Sequence, residues 1–391
     1  MKRPVRFLAM AAAVLATAAC GASTQHDGGR PPRPHTTATV YVLSQAPDQV
    51  TAVNALTGAI GRTIRLVKSP NQFQLTPDGR TAVAMNDDSL MLVDVASGAV
   101  RTVAVSLPRQ VVVLPDSRSL DVLTYPVGDV PGQLVPVTVA TGAVGRRLAV
   151  GRTAAAMALA PDGRTVYVLR SGEQSVGPSG VPTFQPPGSV LPVDTATGTA
   201  RREIALSTLA DSIAVTPDGR TAYVTTTDSV TPIDTATGTA GAPIALPGDA
   251  IGLTINPDGR AAYVLCLHAT IEDGAGVVVP IDVASNRARK PITVPGVGKE
   301  PAGISAAPGG KRVYVLGDSQ SDAVGWVDTT TDTTGPALRV GRSPQRIAYS
   351  ADGATAWVLN GTALVPVTTG TGAVGKPISL PPGPVDVAAG T

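Results

Sequence analysis

The side chains that most often carry catalysis or bind metals are scarce, with 3 histidines and 2 cysteines in 391 residues. His26 and His35 fall in a polar N-terminal stretch. His268, with Glu272 and Asp273 close behind it, is therefore the one histidine in the body of the chain. Such a trio could pass protons or ligate a metal, as a hydrolase or lyase site requires. It is equally what a solvated loop contains. Cys266 lies in the apolar run Tyr263-Val264-Leu265-Cys266-Leu267, and a thiol in that setting reads as a small buried hydrophobe rather than a nucleophile. No phosphate-cradling glycine loop, Gly-x-Ser-x-Gly elbow or zinc-spaced Cys/His set occurs, so no cofactor or metal is expected. The formal net charge is +2, with no basic run and no aromatic interleaving, which argues against nucleic-acid binding.

These residues sit inside a repeated phrase. Its cleanest copy runs Ala222-Tyr223-Val224-Thr225-Thr226, then Ile233-Asp234-Thr235-Ala236-Thr237-Gly238, then Ala242-Pro243-Ile244-Ala245-Leu246. That is a strand, a strand ending at an aspartate and a Thr-Gly turn, and a third strand. Copies begin near Val40-Tyr41, Ala82-Val83, Leu120-Asp121, Val166-Tyr167, Ala222-Tyr223, Ala262-Tyr263, Val313-Tyr314 and Ala356-Trp357. All but the first are preceded by a tight turn of the type Pro217-Asp218-Gly219, varied to Pro308-Gly309-Gly310 in the seventh. A period of roughly 40 residues holding about four short strands is the signature of an all-β propeller. The first copy lacks its turn and preceding strand, while Pro384-Val385-Asp386-Val387-Ala388 reads as a strand with nothing after it. Closing the ring with that last strand removes exposed edges. Eight four-stranded blades are expected over 38–391, with seven as the alternative if one copy is degenerate.

The phrases Tyr167-Val168-Leu169, Tyr223-Val224-Thr225-Thr226, Tyr263-Val264-Leu265, Tyr314-Val315-Leu316 and Trp357-Val358-Leu359-Asn360 resemble the YVTN family of WD40-like β-propellers. The resemblance implies the fold and leaves the function open, since similar propellers serve as binding scaffolds, surface proteins and occasional enzymes. Most copies here lack the family's final Asn, which reads as drift at a solvated strand end. The Thr-Gly phrase faintly resembles quinoprotein repeats, but those carry a tryptophan in each blade and this chain has only Trp326 and Trp357.

In an antiparallel four-stranded meander, the second-to-third turns and the inter-blade links emerge on one face. The Pro-Asp-Gly and Thr-Gly turns emerge on the other. Insertions at Tyr125 to Gln133, Arg170 to Ser189, Leu267 to Gly276 and Gly317 to Asp322 all decorate the first face, where recognition concentrates on a rigid scaffold. The links there carry Lys68, Arg109, Arg152, Lys299 and Arg342 against Asp211, Asp249 and Glu300. They read as a cationic mouth for a small anionic ligand, or as solvated charge that the acids partly cancel. Arg80, Arg164, Arg220 and Arg260 on the opposite face read as turn decoration.

Lys2, Arg3 and Arg6 precede an apolar run from Phe7 to Ala19 that is too short to span a bilayer and suits a signal peptide. Thr17-Ala18-Ala19-Cys20 resembles a bacterial lipobox, which implies cleavage before Cys20 and a lipid on its thiol; an ordinary cleavage site is the other reading. Residues 20–37 form a Gly- and Pro-rich tether. The sequence thus predicts a monomeric propeller exported and lipid-anchored at the outer face of the cytoplasmic membrane. Its expected role is a non-catalytic scaffold for a protein, a cell-wall polymer or a small anion. A lactonase-like enzyme centred on His268 is the alternative.

Overall fold

The structure, a computed structural model, describes residues 39–389 apart from 68, 177–181, 186, 208 and 268–275. The segments expected to be a signal peptide and a tether, with Cys20, Lys68, His268, Glu272 and Asp273, therefore lie outside the described residues. The described chain is all β and forms eight blades in a ring. From the first blade onward the innermost strands are Pro384–Ala389, Gln72–Leu75, Pro108–Val113, Ala154–Leu159, Ser212–Val215, Asp249–Ile255, Gly303–Ala306 and Arg346–Tyr349. Blade 5 shows the common plan: Ser212–Val215, Thr221–Thr225 and Ser229–Asp234, then an outer strand in two pieces, Thr239–Ala240 and Ile244–Ala245.

The ring closes as the orphan C-terminal strand requires. Pro384–Ala389 pairs antiparallel with Thr39–Gln45 over five positions, from Val40 opposite Ala389 to Ser44 opposite Pro384. Asp386 fastens this strand to both neighbours. Its Oδ2 accepts from the Phe73 backbone N–H of blade 2 at 3.0 Å, and its Oδ1 lies 3.6 Å from Nε of Arg346 in blade 8. Polar side chains stitch other junctions of the inner ring: Gln72 Nε2 donates to the Arg109 carbonyl, Gln110 exchanges two bonds with the Met157 backbone, and Tyr349 donates to the Ser305 carbonyl.

Blade interiors are apolar on both faces because each sheet is pressed between two others. Val224, Tyr223, Val230 and Ile233 are fully buried. Register places Tyr167, Tyr223, Tyr263 and Trp357 opposite Pro192, Pro232, Pro280 and Pro366. These prolines explain the broken outer strands. A proline has no N–H to give the fourth strand; only its carbonyl is used, accepting from Arg201, Gly241, Arg289 and Gly375. Blade 7 breaks in the same way around Trp326, whose indole crowds the place a Cβ on Gly335 would take. In blade 2, Leu92 stands at the proline position and the fourth strand, Val100–Ala104, is unbroken.

The solvated strand end expected at the family's final Asn is not what the structure shows. Asn86, Thr226 and Asn360 are all buried. Asn360 Oδ1 accepts from the N–H groups of Thr362 and Ala363, and its Nδ2 donates to the Val340 carbonyl of the neighbouring blade at 2.8 Å. The loop after the strand folds over this side chain, so burial there depends on the adjoining loops and not on position along the strand. Asn360→Ala strips three partners at a buried point and is expected to cost about 2–4 kcal/mol in urea unfolding. A change under about 0.5 kcal/mol, the size of an ordinary surface substitution, contradicts the role assigned here.

Candidate functional site

The four insertions do lie between second and third strands, and therefore on one face. In blade 3 the segment after Thr124 is ordered by the Val127–Val130 bridge and by the Tyr125 N–H, which donates to the Leu107 carbonyl at 2.8 Å. It exposes Tyr125, Val127 and Val130 at 45%, 50% and 55%. The blade 4 insertion carries its own hairpin, Glu173–Val176 paired with Pro182–Gln185. In blade 7, Asp318 organises the turn, its carboxylate accepting from the N–H groups of Lys299, Gln320 and Ser321.

The cations named from the sequence divide into two kinds. Arg109 belongs to the innermost strand of blade 3 rather than to a link. Its guanidinium stands 4.6 Å from the Tyr125 ring centroid, and its Nε donates to the Ala155 carbonyl. Burial pulls its pKa down, so it is a bracket between the ring, the insertion and blade 4. Arg152 is exposed and pairs with Asp129 at 2.8 Å, a surface ion pair contributing about 0–1 kcal/mol. Lys299 and Arg342 are exposed. Across the ring, burial and then the nearby Asp249 raise the Asp211 carboxyl pKa. Arg109, Arg152, Lys299 and Arg342 thus lie on or lead into blades 3, 4, 7 and 8, and Asp211 and Asp249 open blades 5 and 6.

Cys266 is fully buried, and burial, with a smaller contribution from Asp249, pushes its thiol up to about 12. A thiol so far from ionising is no nucleophile. Among the described residues no group of three or more His, Cys, Asp or Glu is placed to hold a metal ion, and no helix is long and apolar enough to cross a membrane.

The opposite face has one feature that no reading of the repeats anticipated. The Pro-Asp-Gly turns are braced locally: Thr76 and Thr216 donate to Asp78 and Asp218 two residues on, each at 2.6 Å, and the aspartates accept the N–H of Arg80 and Arg220. Neighbouring turns touch, the third-position glycine of one meeting the proline of the previous blade, as Gly219 does Pro161 and Gly259 does Pro217. Between blades 6 and 7 that contact is replaced. Gly310 faces the amide of Asn256, and a cavity of about 680 Å³ opens there, lined by Asn256, Asp258, Arg260, Asp282, Arg289 and Lys311 among others. The sequence signal was the substitution of Gly309 for the turn aspartate, visible but without meaning until its neighbour across the blade junction was known.

No family model matches the chain, and no curated protein matches it. Among solved structures it is similar to a dihydro-heme d1 dehydrogenase, NirN, in complex with DHE, with a TM-score of 0.69 at 18% identity, covering 92% of this chain and 77% of that one. It is also similar to a functionally unknown protein from Desulfotomaculum acetoxidans DSM 771, with a TM-score of 0.54 at 16% identity, covering 90% and 98%. At such identities the likeness establishes the β-propeller fold alone.

Proposed function

We propose that this chain is a YVTN-type propeller serving as a non-catalytic interaction scaffold, held at the outer face of a bacterial cytoplasmic membrane by a lipid on Cys20. It engages a protein or cell-wall polymer through the loop-decorated face. The observation that carries this reading is the blade 3 insertion. Tyr125, Val127 and Val130 are exposed on a segment fastened by Arg109 and by Arg152 with Asp129. Apolar side chains held outward on a rigid support suit association, because little ordering entropy is lost when a partner arrives. The exposed Lys299 and Arg342 add charge at the rim, where it chiefly steers encounter.

A photo-reactive phenylalanine analogue placed at Val127 or at Arg342 in intact cells is expected to give a crosslinked partner, and the same analogue at Arg80 or Arg220 is not. Crosslinks only from the second pair would move the binding surface to the other face. Mass analysis of the N-terminal peptide from the same membranes should show a diacylated Cys20, and a soluble chain with an unmodified thiol removes the anchoring half of the proposal.

A further inference from the structure

The cavity between blades 6 and 7 has the makings of a second binding site, on the face opposite the insertions. One departure from the repeat, Gly309, coincides there with Asn256 and Arg289. Gly309 replaces the turn aspartate found as Asp78, Asp116, Asp162, Asp218, Asp258 and Asp352 in the other turns, and a Cβ built on it would meet nothing within 4 Å. Asn256 holds the place of Thr76, Thr216 and Ser350, whose hydroxyls bond their own turn aspartates, and of the apolar Leu114, Ala160 and Ala307 in the remaining turns. Arg289, at the break in the outer strand of blade 6, stands where blades 3, 5 and 8 have Gly145, Gly241 and Gly375 and blade 4 has Arg201.

The result is a polar recess whose hydrogen-bonding capacity exceeds what the protein itself uses. Asn256 is 2% exposed, yet its Oδ1 has no hydrogen-bond partner, and Nε of Arg289 is likewise buried and unpartnered. A buried polar atom without a partner costs on the order of 1–3 kcal/mol, a cost that a ligand able to satisfy it relieves. The carboxylates in the recess are already engaged. Asp258 accepts the Arg260 N–H, and Asp282 accepts both the N–H and the hydroxyl of Ser285, which together with Arg289 draw its pKa down. Asp332, in the next blade, takes one terminal nitrogen of Arg289 at 2.7 Å. Beside these carboxylates the recess presents three cationic donors: the Arg289 Nε–H, which has no partner, and the exposed Arg260 and Lys311 heads. The missing aspartate at 309 removes the carboxylate that would otherwise oppose them. Asn256 Oδ1 is an acceptor, so of the two unpartnered buried atoms it is the Arg289 Nε–H that can meet an anion.

We infer that this recess is a binding site for a small oxyanion, a carboxylate or phosphate group, seated between Arg260, Arg289 and Lys311. Guanidinium and ammonium donors lining one recess from two blades, Arg289 among them held by Asp332, can give an anion charge-assisted hydrogen bonds, about twice as strong as neutral ones. The site does not depend on the function proposed for the loop face.

Titration calorimetry with inorganic phosphate, and separately with acetate, on the purified propeller is expected to show saturable one-site binding for at least one of them. Whichever binds identifies the group. Gly309→Asp restores the usual turn residue where space is open, and it should weaken binding about tenfold with no loss of melting temperature. Lys311→Ala should weaken it by a similar factor. Arg220→Ala, at the matching turn of blade 5, should leave it unchanged. Absence of saturable binding of either anion overturns the assignment, and so does binding that Arg220→Ala weakens as much as Lys311→Ala does.

Discussion

Deleting residues 384–391 will lower the melting temperature of this propeller by roughly 5–10 °C and make the chain self-associate. The deletion removes the innermost strand of blade 1, whose five paired positions hold the first and last parts of the chain together. It also takes away Val387, which is 6% exposed and packs with Val40, Val42 and Trp357, and the partly buried Val385 and Ala388 packed against Leu43 and Phe73, so those neighbours are uncovered. Set against the ordering entropy of six strand residues, the lost pairing and burial amount to something on the order of 5 kcal/mol. The edge of Thr39–Gln45 is then free to pair with another copy. A melting curve and a sedimentation profile read both effects. Asp386→Ala isolates the latch: the strand stays, its bonds to Phe73 and Arg346 go, and the melting temperature should fall by less than in the deletion. An unchanged melt and a monomeric profile in the deletion mutant would mean that the ring does not depend on its closing strand.

That closure was legible in the sequence because one copy visibly lacked what the end of the chain supplied. Repetition made the rest of the ring legible too, since eight noisy copies average into one clear phrase. What repetition hid lies between copies. Asn360 looked like a solvated remnant because a strand read alone does not show the loop that covers it. Gly309 was visible as a departure, yet its consequence depends on Asn256 and Arg289, 53 and 20 residues earlier, which meet it only across a blade junction. Arg109 was placed in a link and proved to be part of the inner strand, because a boundary shift of one or two residues decides whether such a side chain guards a mouth or braces a wall. The outer-strand breaks were written in Pro136, Pro192, Pro232, Pro280 and Pro366, but a proline in a strand points to an edge, and these sit in third strands with a neighbour on each side.

Asp121 is the other departure, and it leads to the second large effect. It lies opposite Pro136, in the register where blades 4 to 6 place Tyr167, Tyr223 and Tyr263. Tyr223 uses that position to reach the next blade, its hydroxyl donating to Asn286 Oδ1 at 2.6 Å. The aspartate is too short to reach. It is 4% exposed, its Oδ2 has no hydrogen-bond partner, and burial pushes its pKa up to about 6. The same holds in direction for Asp386, which burial raises to about 6 against the pull of Arg346.

A carboxyl whose pKa is higher in the folded than in the unfolded chain binds its proton more tightly when folded. Its contribution to stability is therefore complete below pH ~4 and is lost as pH rises through about 6. The turn aspartates Asp94, Asp194, Asp234 and Asp282 are held down chiefly by Ser or Thr hydrogen bonds, so their contribution is present above pH ~4 and fades as pH falls below it. Stability should peak between these windows, near pH 4–5, and decline toward neutrality. Valine occupies the matching position in blade 2, Val83 opposite Leu92. Asp121→Val should therefore gain about 2–3 kcal/mol at pH 7.5 and little at pH 4.5, and it should reduce the decline between the two, with Asp386 and Asp211 still contributing to what is left. Urea unfolding of the wild type and the variant at both pH values measures this directly. A variant that loses stability at pH 7.5, or that declines as steeply as the wild type, would show that the Asp121 carboxyl is not buried without a partner.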